Sequence, residues 1–376
     1  MMTPISKNSF LEKIKPSVRA LTPYALKHVD ATVKLDMNEN PLDTPQPIKD
    51  AVIERLCSRR WTRYPELVPQ VLLKKLSKFS AWPVEGLIVG NGSNEVLKTI
   101  LLAVAGPGVR VLVSQPSFSV YQHLVKISGA EYREVLLTPD LGFDVKAICR
   151  ETRNADLTIV CVPNNPTGNT LEPDVIRDIL RSTSGLVIID EAYHEFSGTT
   201  AFELLKDFPN LILLRTFSKA MAMAGLRIGY LIGDPAIVAE LAKTKLPYNL
   251  NFVSIAAAEA GLDHIHLLQA NVRRIINLRM ALEARLKEVM GVETFHSGAN
   301  FILFRTPLPA PVLFESLYAQ SVLIRDVSKA PLLDRCLRVT VGTEEENALF
   351  VAALEKSLRQ GVTKHTTWGE PDPHIL

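Results

Sequence analysis

Cysteine is scarce in this chain, four in 376 residues, and none stands in a CxxC pair. Cys57, Cys149, Cys161 and Cys336 are too scattered for a zinc site or a disulfide framework, so no metal is expected and a reducing compartment is. Long apolar runs are also missing. Nothing approaches a membrane span, and the opening "MMTPISKNSF" has no apolar segment of signal-peptide length. Neither sign of charge is in excess: the formal net charge is +2, with no basic stripe, which argues against nucleic acid as a partner. What these absences leave is a cytoplasmic protein by default, with neither membrane nor nucleic acid expected as a partner; small-molecule substrates are expected from the site described below. At this length two compact units are expected rather than one.

What is present is a series of short apolar runs. They read "LIVG" 87–90, "VRVLVS" 109–114, "YREVLL" 132–137, "LTIVCV" 157–162, "GLVIID" 185–190, "LILLRT" 211–216 and "IGYLIG" 228–233. Most are continuous rather than alternating, the pattern of strands covered by helices on both faces. Most connections have room for a crossover helix, which predicts a mostly parallel, doubly wound α/β sheet of about seven strands. After "KLPYNLN" (245–251) the pattern changes. A long helical stretch over 264–290 sets Leu268, Val272, Ile275, Leu278, Leu282 and Leu286 near one face. Short strand candidates "NFILFR", "SVLIRD" and "LRVTVG" follow, and a capping box from Thr343 to Glu346 opens a closing helix. The expected division is an N-terminal arm (1–33), a large domain (34–250), a smaller α+β domain (251–362) and a tail (363–376).

Ligands of doubly wound sheets bind beyond the carboxyl ends of the strands. Each such end here carries something polar. After "LIVG" comes "NGSNEV", where Gly92 permits a tight turn and Ser93 can cap a helix whose first N–H groups suit a phosphate, although the third glycine of a dinucleotide fingerprint is missing. After "LTIVCV" comes "PNNPTGN", a turn bracketed by proline and glycine that presents Asn164 and Asn165. Asp190 closes a wholly apolar strand, where a carboxylate needs a partner: either a structural salt bridge or a cationic ring nitrogen. After "LILLRT" comes Lys219, in the nearly uncharged "RTFSKAMAMAGLRIGY". A phosphate seat, a carboxylate, an asparagine loop, a tyrosine and a lysine at one sheet edge are the fittings for pyridoxal phosphate, with Lys219 attacking its aldehyde.

Taken together, "LTPYA" 21–25, "DMNENP" 36–41, "RYPE" 63–66, "PNNPTGN", "DEAYHEF", "TFSKAMAMAGLRIGY" and "LRVTVGT" 337–343 resemble the fold-type I pyridoxal-phosphate aminotransferases, and among them the histidinol-phosphate aminotransferase family. The resemblance runs nearly end to end. It implies that Lys219 carries the cofactor and later shuttles the proton, that Asp190 holds the pyridinium nitrogen, and that Asn165 and Tyr193 contact the ring hydroxyl oxygen. It implies that Ser93, Asn94, Thr216, Ser218 and Arg227 surround the phosphate and that Phe118 stacks on the ring. Tyr64 would reach the phosphate held by the partner subunit of a homodimer. Asn94 stands where many relatives have aspartate. For substrate, the resemblance points to Tyr24, Asn38, Asn300, Arg325 and Arg338, the two arginines holding a phosphate.

The activity so implied is transamination of L-histidinol phosphate with 2-oxoglutarate, giving imidazole acetol phosphate and glutamate. An aromatic aminotransferase and a threonine-phosphate decarboxylase type remain rivals, because function lives in the site and not in the fold. A ligand-sensing regulator would need an attached basic DNA-binding module, for which the short N-terminal arm leaves no room.

Overall fold

The computed structural model describes residues 10–22 and 30–365. A two-residue strand β1 (Val33–Lys34) precedes the main sheet. That sheet comprises β2 (Leu87–Gly90), β3 (Arg110–Gln115), β4 (Glu131–Leu136), β5 (Leu157–Cys161), β6 (Leu186–Asp190), β7 (Leu211–Thr216) and β8 (Gly229–Gly233). Its order is β2-β8-β7-β6-β5-β3-β4, and only β8 runs against the others.

The continuity of the apolar runs has a direct cause. Val187 and Ile189 of β6 face one hydrophobic core, while Ile188 between them faces another across the sheet. Strands buried on both faces are apolar at most positions. Among the described residues no helix is long and apolar enough to cross a membrane.

A second, four-stranded antiparallel sheet is built from β9 (Glu293–Thr294), β10 (Phe301–Arg305), β12 (Arg325–Asp326) and β13 (Cys336–Thr340), in the order β12-β13-β10-β9. Between β10 and β12 the short β11 (Val322–Leu323) pairs in parallel with β1. The helix Ile265–Glu288 buries Leu268, Val272, Ile275, Leu278, Leu282 and Leu286, the face expected from its periodicity. The closing helix starts with the reciprocal bonds of a capping box: Glu346 N–H donates to Thr343 Oγ1 (3.2 Å) and Thr343 N–H to Glu346 Oε2 (2.8 Å).

Two segments lie across the boundaries read from hydropathy. The helix Phe252–Asp263, expected in the smaller unit, packs on helices Gln46–Ser58 and Gln70–Ser80 through Ala257, Ala258 and Ala260, inside the core of the large one. Residues 33–35, at the start of the expected large domain, join the small unit's core through Val33 and Leu35. A change of pattern marks where the strand series ends, not where its packing ends. A further cluster, with Tyr193, Ala220, Ile275, Ala299, Phe301 and Val341, lies where the two units meet, and beside it the polar residues gather.

Candidate active site

The carboxyl ends of β2, β3, β5, β6 and β7 share one edge of the main sheet. Antiparallel β8 begins at that edge, with Gly229 opposite both Gly90 and Thr216. The reversal therefore delivers Arg227, two residues earlier, to the place where the other strands end.

A Cβ on Gly229 would lie 2.2 Å from the backbone nitrogen of Ser93. Only glycine lets the helix Ser93–Val104 start so close to the sheet. The expectation that Ser93 caps this helix is corrected: it is the first helical residue, its side chain makes no capping bond, and Gly92 at φ 81° takes the cap position. A Cβ on Gly92 would sit 2.2 Å from Nη2 of Arg227. Arg227 Nη1 donates to Ser218 Oγ (3.1 Å), and the hydroxyls of Thr216 and Ser218 are 3.0 Å apart. The N-terminal end of a helix, a guanidinium and two hydroxyls thus form a seat for a tetrahedral anion. Asn94 is exposed in the first turn of that helix.

Asp190, the last residue of β6, is 5 % exposed. Its Oδ2 accepts from the Tyr121 hydroxyl at 2.6 Å and its Oδ1 from the Ala192 N–H at 3.1 Å. Among the described residues no cation pairs with it. Burial lifts its carboxyl to about 6, against the pull of these two hydrogen bonds. Phe118, half-buried in the turn after β3, meets Tyr121 edge-on with ring centroids 5.5 Å apart. The Tyr193 hydroxyl accepts from Nδ2 of both Asn38 (3.0 Å) and Asn165 (3.3 Å).

Lys219 is half-buried, and its Nζ donates to the Met37 carbonyl at 2.8 Å. Burial, with Arg338 and Arg227 nearby, pulls the amine down to about 7, while Glu39 opposes them. Asn40 holds the lysine-bearing turn through Nδ2 bonds to the carbonyls of Lys219 (3.1 Å) and Ala220 (3.3 Å).

The small unit closes the site from the other side. Buried Arg338 donates to Asn165 Oδ1 and to the Asp36 carbonyl, both at 2.6 Å, and its guanidinium lies over the Phe301 ring. Asn300 Nδ2 donates to the Asn38 carbonyl (3.1 Å), and the Asn38 N–H to Thr340 Oγ1 (2.9 Å). Arg325 on β12 stands directly opposite Arg338 on β13.

Of the residues singled out from sequence, Lys219, Asp190, Tyr193, Asn38, Asn165, Asn300, Arg338, Thr216, Ser218 and Arg227 lie in these linked contacts. Tyr64 does not join them: it is 79 % exposed and stacked on Tyr248, with ring centroids 4.8 Å apart. Tyr24 lies outside the described residues. Tyr121 does not stand out in the sequence, nor does the buried ion pair of Glu191 with Arg215 (2.8 Å) behind Asp190, whereas Asn40 belongs to the "NENP" loop that the resemblance places near substrate. The signal for Tyr121 was its place three residues after Phe118, since a buried phenol hydroxyl requires an acceptor. The signal for the ion pair was Arg215 itself, a charge inside an apolar strand.

An amine that is half neutral near pH 7 can attack a carbonyl carbon. A buried carboxylate suits a protonated heterocycle nitrogen, and the glycine-lined seat suits phosphate.

The sequence profile of the family described as aminotransferase class I and II matches residues 30–354. The histidinol-phosphate aminotransferase of Chlorobium phaeovibrioides is 40% identical over 356 residues, which is 93% of this chain and 98% of that protein. That of Chlorobaculum tepidum is 39% identical over 344 residues, 88% of this chain and 99% of that one. Among solved structures, histidinol-phosphate aminotransferase from Sinorhizobium meliloti in complex with pyridoxal-5'-phosphate shares the fold, with a TM-score of 0.83 at 24% identity over 93% of this chain and 98% of that one. L-threonine-O-3-phosphate decarboxylase from Porphyromonas gingivalis follows with a TM-score of 0.77 at 26% identity, over 87% and 99%.

Proposed function

This chain belongs to the class I and II aminotransferases and, within them, to the histidinol-phosphate aminotransferase family, and from there we propose that it transfers the amino group of L-histidinol phosphate to 2-oxoglutarate in histidine biosynthesis, with pyridoxal phosphate as cofactor. The products are imidazole acetol phosphate and L-glutamate. The pocket fits that cofactor. Its phosphate suits the seat where a Cβ at Gly92 would meet Arg227, and its ring nitrogen suits Asp190, which has no other cation among the described residues. Asn165 and Tyr193 would hold the ring hydroxyl oxygen, and Phe118 one face of the ring. When bound, pyridoxal phosphate supplies the electron sink for the charge left on the substrate carbon as its proton departs. Asp190 would keep the ring nitrogen protonated. Lys219 Nζ would hold the aldehyde carbon and would accept the proton that leaves the substrate carbon.

The observation that carries the choice of substrate is Arg325 opposite Arg338 on neighbouring strands. Like charges directly opposed across a sheet repel, and an anion between them turns that repulsion into attraction. Guanidinium forks match phosphate and carboxylate alike, so one site can serve histidinol phosphate and glutamate in turn. Charge-assisted bonds of this kind contribute about 1.5–3 kcal/mol each, or roughly ten- to a hundred-fold in affinity. Arg325→Gln is therefore expected to raise the KM for histidinol phosphate far more than that for unphosphorylated histidinol. Arg338→Gln is expected to impair the glutamate half-reaction too. Equal losses with both amino donors would move the aromatic aminotransferase reading ahead, and release of carbon dioxide in place of an oxo product would install the decarboxylase. The remaining substrate roles are those of Asn38, Asn300 and Tyr24.

We further infer a cytoplasmic homodimer with shared sites, in which Tyr64 reaches the phosphate held by the partner subunit. The support is the exposure of Trp61, Tyr64, Leu67 and Val68 within one short segment, with Tyr64 stacked on exposed Tyr248, and free cysteines suited to a reducing compartment. Mixing Lys219→Ala chains with Tyr64→Ala chains is expected to restore activity, because each mixed dimer gains one intact site. Activity no higher than the sum of the two variants, with subunit exchange demonstrated, would confine Tyr64 to its own chain. The division into a large cofactor-binding and a smaller substrate-closing domain is proposed on the same footing.

A further inference from the structure

Tyr121 has so far no role. It is fully buried in the helix Val120–Ser128, and its hydroxyl lies 2.6 Å from Asp190 Oδ2, the short distance of an O–H donor on a carboxylate. The other carboxylate oxygen takes the Ala192 N–H at 3.1 Å. Each oxygen thus has one protein donor, which fixes the carboxylate from two sides and leaves acceptor capacity for a third partner. The same ring stands perpendicular to Phe118, at an interplanar angle of 89°. One side chain therefore touches both the acidic residue and the aromatic residue that flank the candidate ring position.

Burial, and then the charge of Asp190, push the Tyr121 phenol well above its ordinary range, so it remains a donor. Cys161, opposite Asp190 on β5, has its thiol raised by burial and stays neutral. Glu191, the next residue, is engaged by Arg215. Tyr121 is then the one side-chain donor to the Asp190 carboxylate among the described residues.

We propose that Tyr121 is a positioning residue for the cofactor's ring nitrogen: its hydroxyl orients the Asp190 carboxylate and keeps it ionised, so that a protonated ring nitrogen meets a full charge in a fixed direction. This rests on the pyridoxal phosphate reading above. Without the hydroxyl, burial acts on the carboxyl with less opposition. It takes up a proton more readily, and a neutral carboxyl holds a cationic nitrogen poorly.

The test compares two ligands on the cofactor-free protein by titration calorimetry. One is pyridoxal phosphate; the other is its carbocyclic analogue, which has C–H in place of the ring nitrogen and keeps the phosphate, hydroxyl and aldehyde. The wild-type protein binds pyridoxal phosphate more tightly than the analogue. Tyr121→Phe shrinks that preference by about ten-fold and leaves affinity for the analogue within roughly two-fold, because only the nitrogen's partner is altered. Equal losses for both ligands, the mark of a purely structural tyrosine, overturn the proposal, and so does an unchanged preference. A wild-type protein with no preference overturns the assignment of Asp190 to the ring nitrogen, and this proposal with it. If Tyr121→Phe does not accumulate as folded protein, Tyr121→Met fills similar volume without a hydroxyl donor, and the same outcomes decide.

Discussion

Lys219→Ala is expected to lose turnover by more than the ~10²–10⁴-fold that removal of a single acid–base group produces, because nucleophile and proton carrier vanish together. The surroundings of Lys219 differ from those of an ordinary surface amine. Burial and the cations Arg338 and Arg227 bring its amine to about 7, so it is largely neutral at mildly alkaline pH. Uptake of pyridoxal phosphate by the cofactor-free protein should therefore quicken as pH rises through about 7, and level off well below the range where an ordinary lysine deprotonates. Borohydride treatment of the loaded protein, followed by peptide mass analysis, should find the cofactor on the peptide containing Lys219. Reduction products at another lysine would remove Lys219 from its role.

Asp190→Asn is expected to move stability and activity in opposite directions. In the cofactor-free protein the buried carboxyl titrates at about 6, above its ordinary value, because burial disfavours its charge. An acid whose folded-state pKa is raised binds its proton more tightly in the folded form. Its stabilising effect is complete in acid and is lost as pH rises through the interval from about 4 to about 6. Above that interval the carboxylate destabilises the cofactor-free fold by roughly 1–3 kcal/mol, a penalty that the neutral amide lacks. Asp190→Asn should accordingly unfold at a higher temperature than wild type when both are cofactor-free at pH 7.5. Turnover should fall by ~10²–10³-fold, the range seen when one preorganised electrostatic partner is removed. A lower unfolding temperature for the cofactor-free variant would mean that the carboxylate already has a compensating partner.

The central sheet was legible because most of its strands are buried on both faces, which leaves few polar positions in runs such as "LVIID" and "LILLRT". The polar residues at or just beyond the ends of those runs stand out for the same reason, Asp190 at the end of β6 and Lys219 three residues past β7. Helix Ile265–Glu288 was equally plain from its one-sided leucines. Less was legible where the cause lies in three dimensions. The allegiance of helix Phe252–Asp263 depends on alanines that pack closely and carry no pattern of their own. Gly92 took the cap position expected of Ser93 because the chain needed φ 81° there, and a serine side chain cannot signal that need. The opposition of Arg325 and Arg338 is a matter of strand register, which the separate runs "LIRDV" and "CLRVTVG" do not reveal. The bond from Tyr121 to Asp190 joins residues 69 positions apart.

The contact between the Asn38 N–H and Thr340 Oγ1 spans 302 positions of chain, as does that between Arg338 and the Asp36 carbonyl. During biosynthesis these pairs are separated by the time the ribosome takes to add that stretch, about 15–60 s at ~5–20 residues per second. The main sheet is complete once Gly233 has emerged, and Lys219 with it. The nascent chain at that moment carries the reactive lysine and the turn that holds it, yet lacks Asn300, Arg325 and Arg338. The residues proposed to select the substrate are thus among the last to emerge. A chain cut short before residue 338 keeps Asp190, Lys219 and Arg227 and loses Arg338, to which the choice of substrate is assigned in the proposal above.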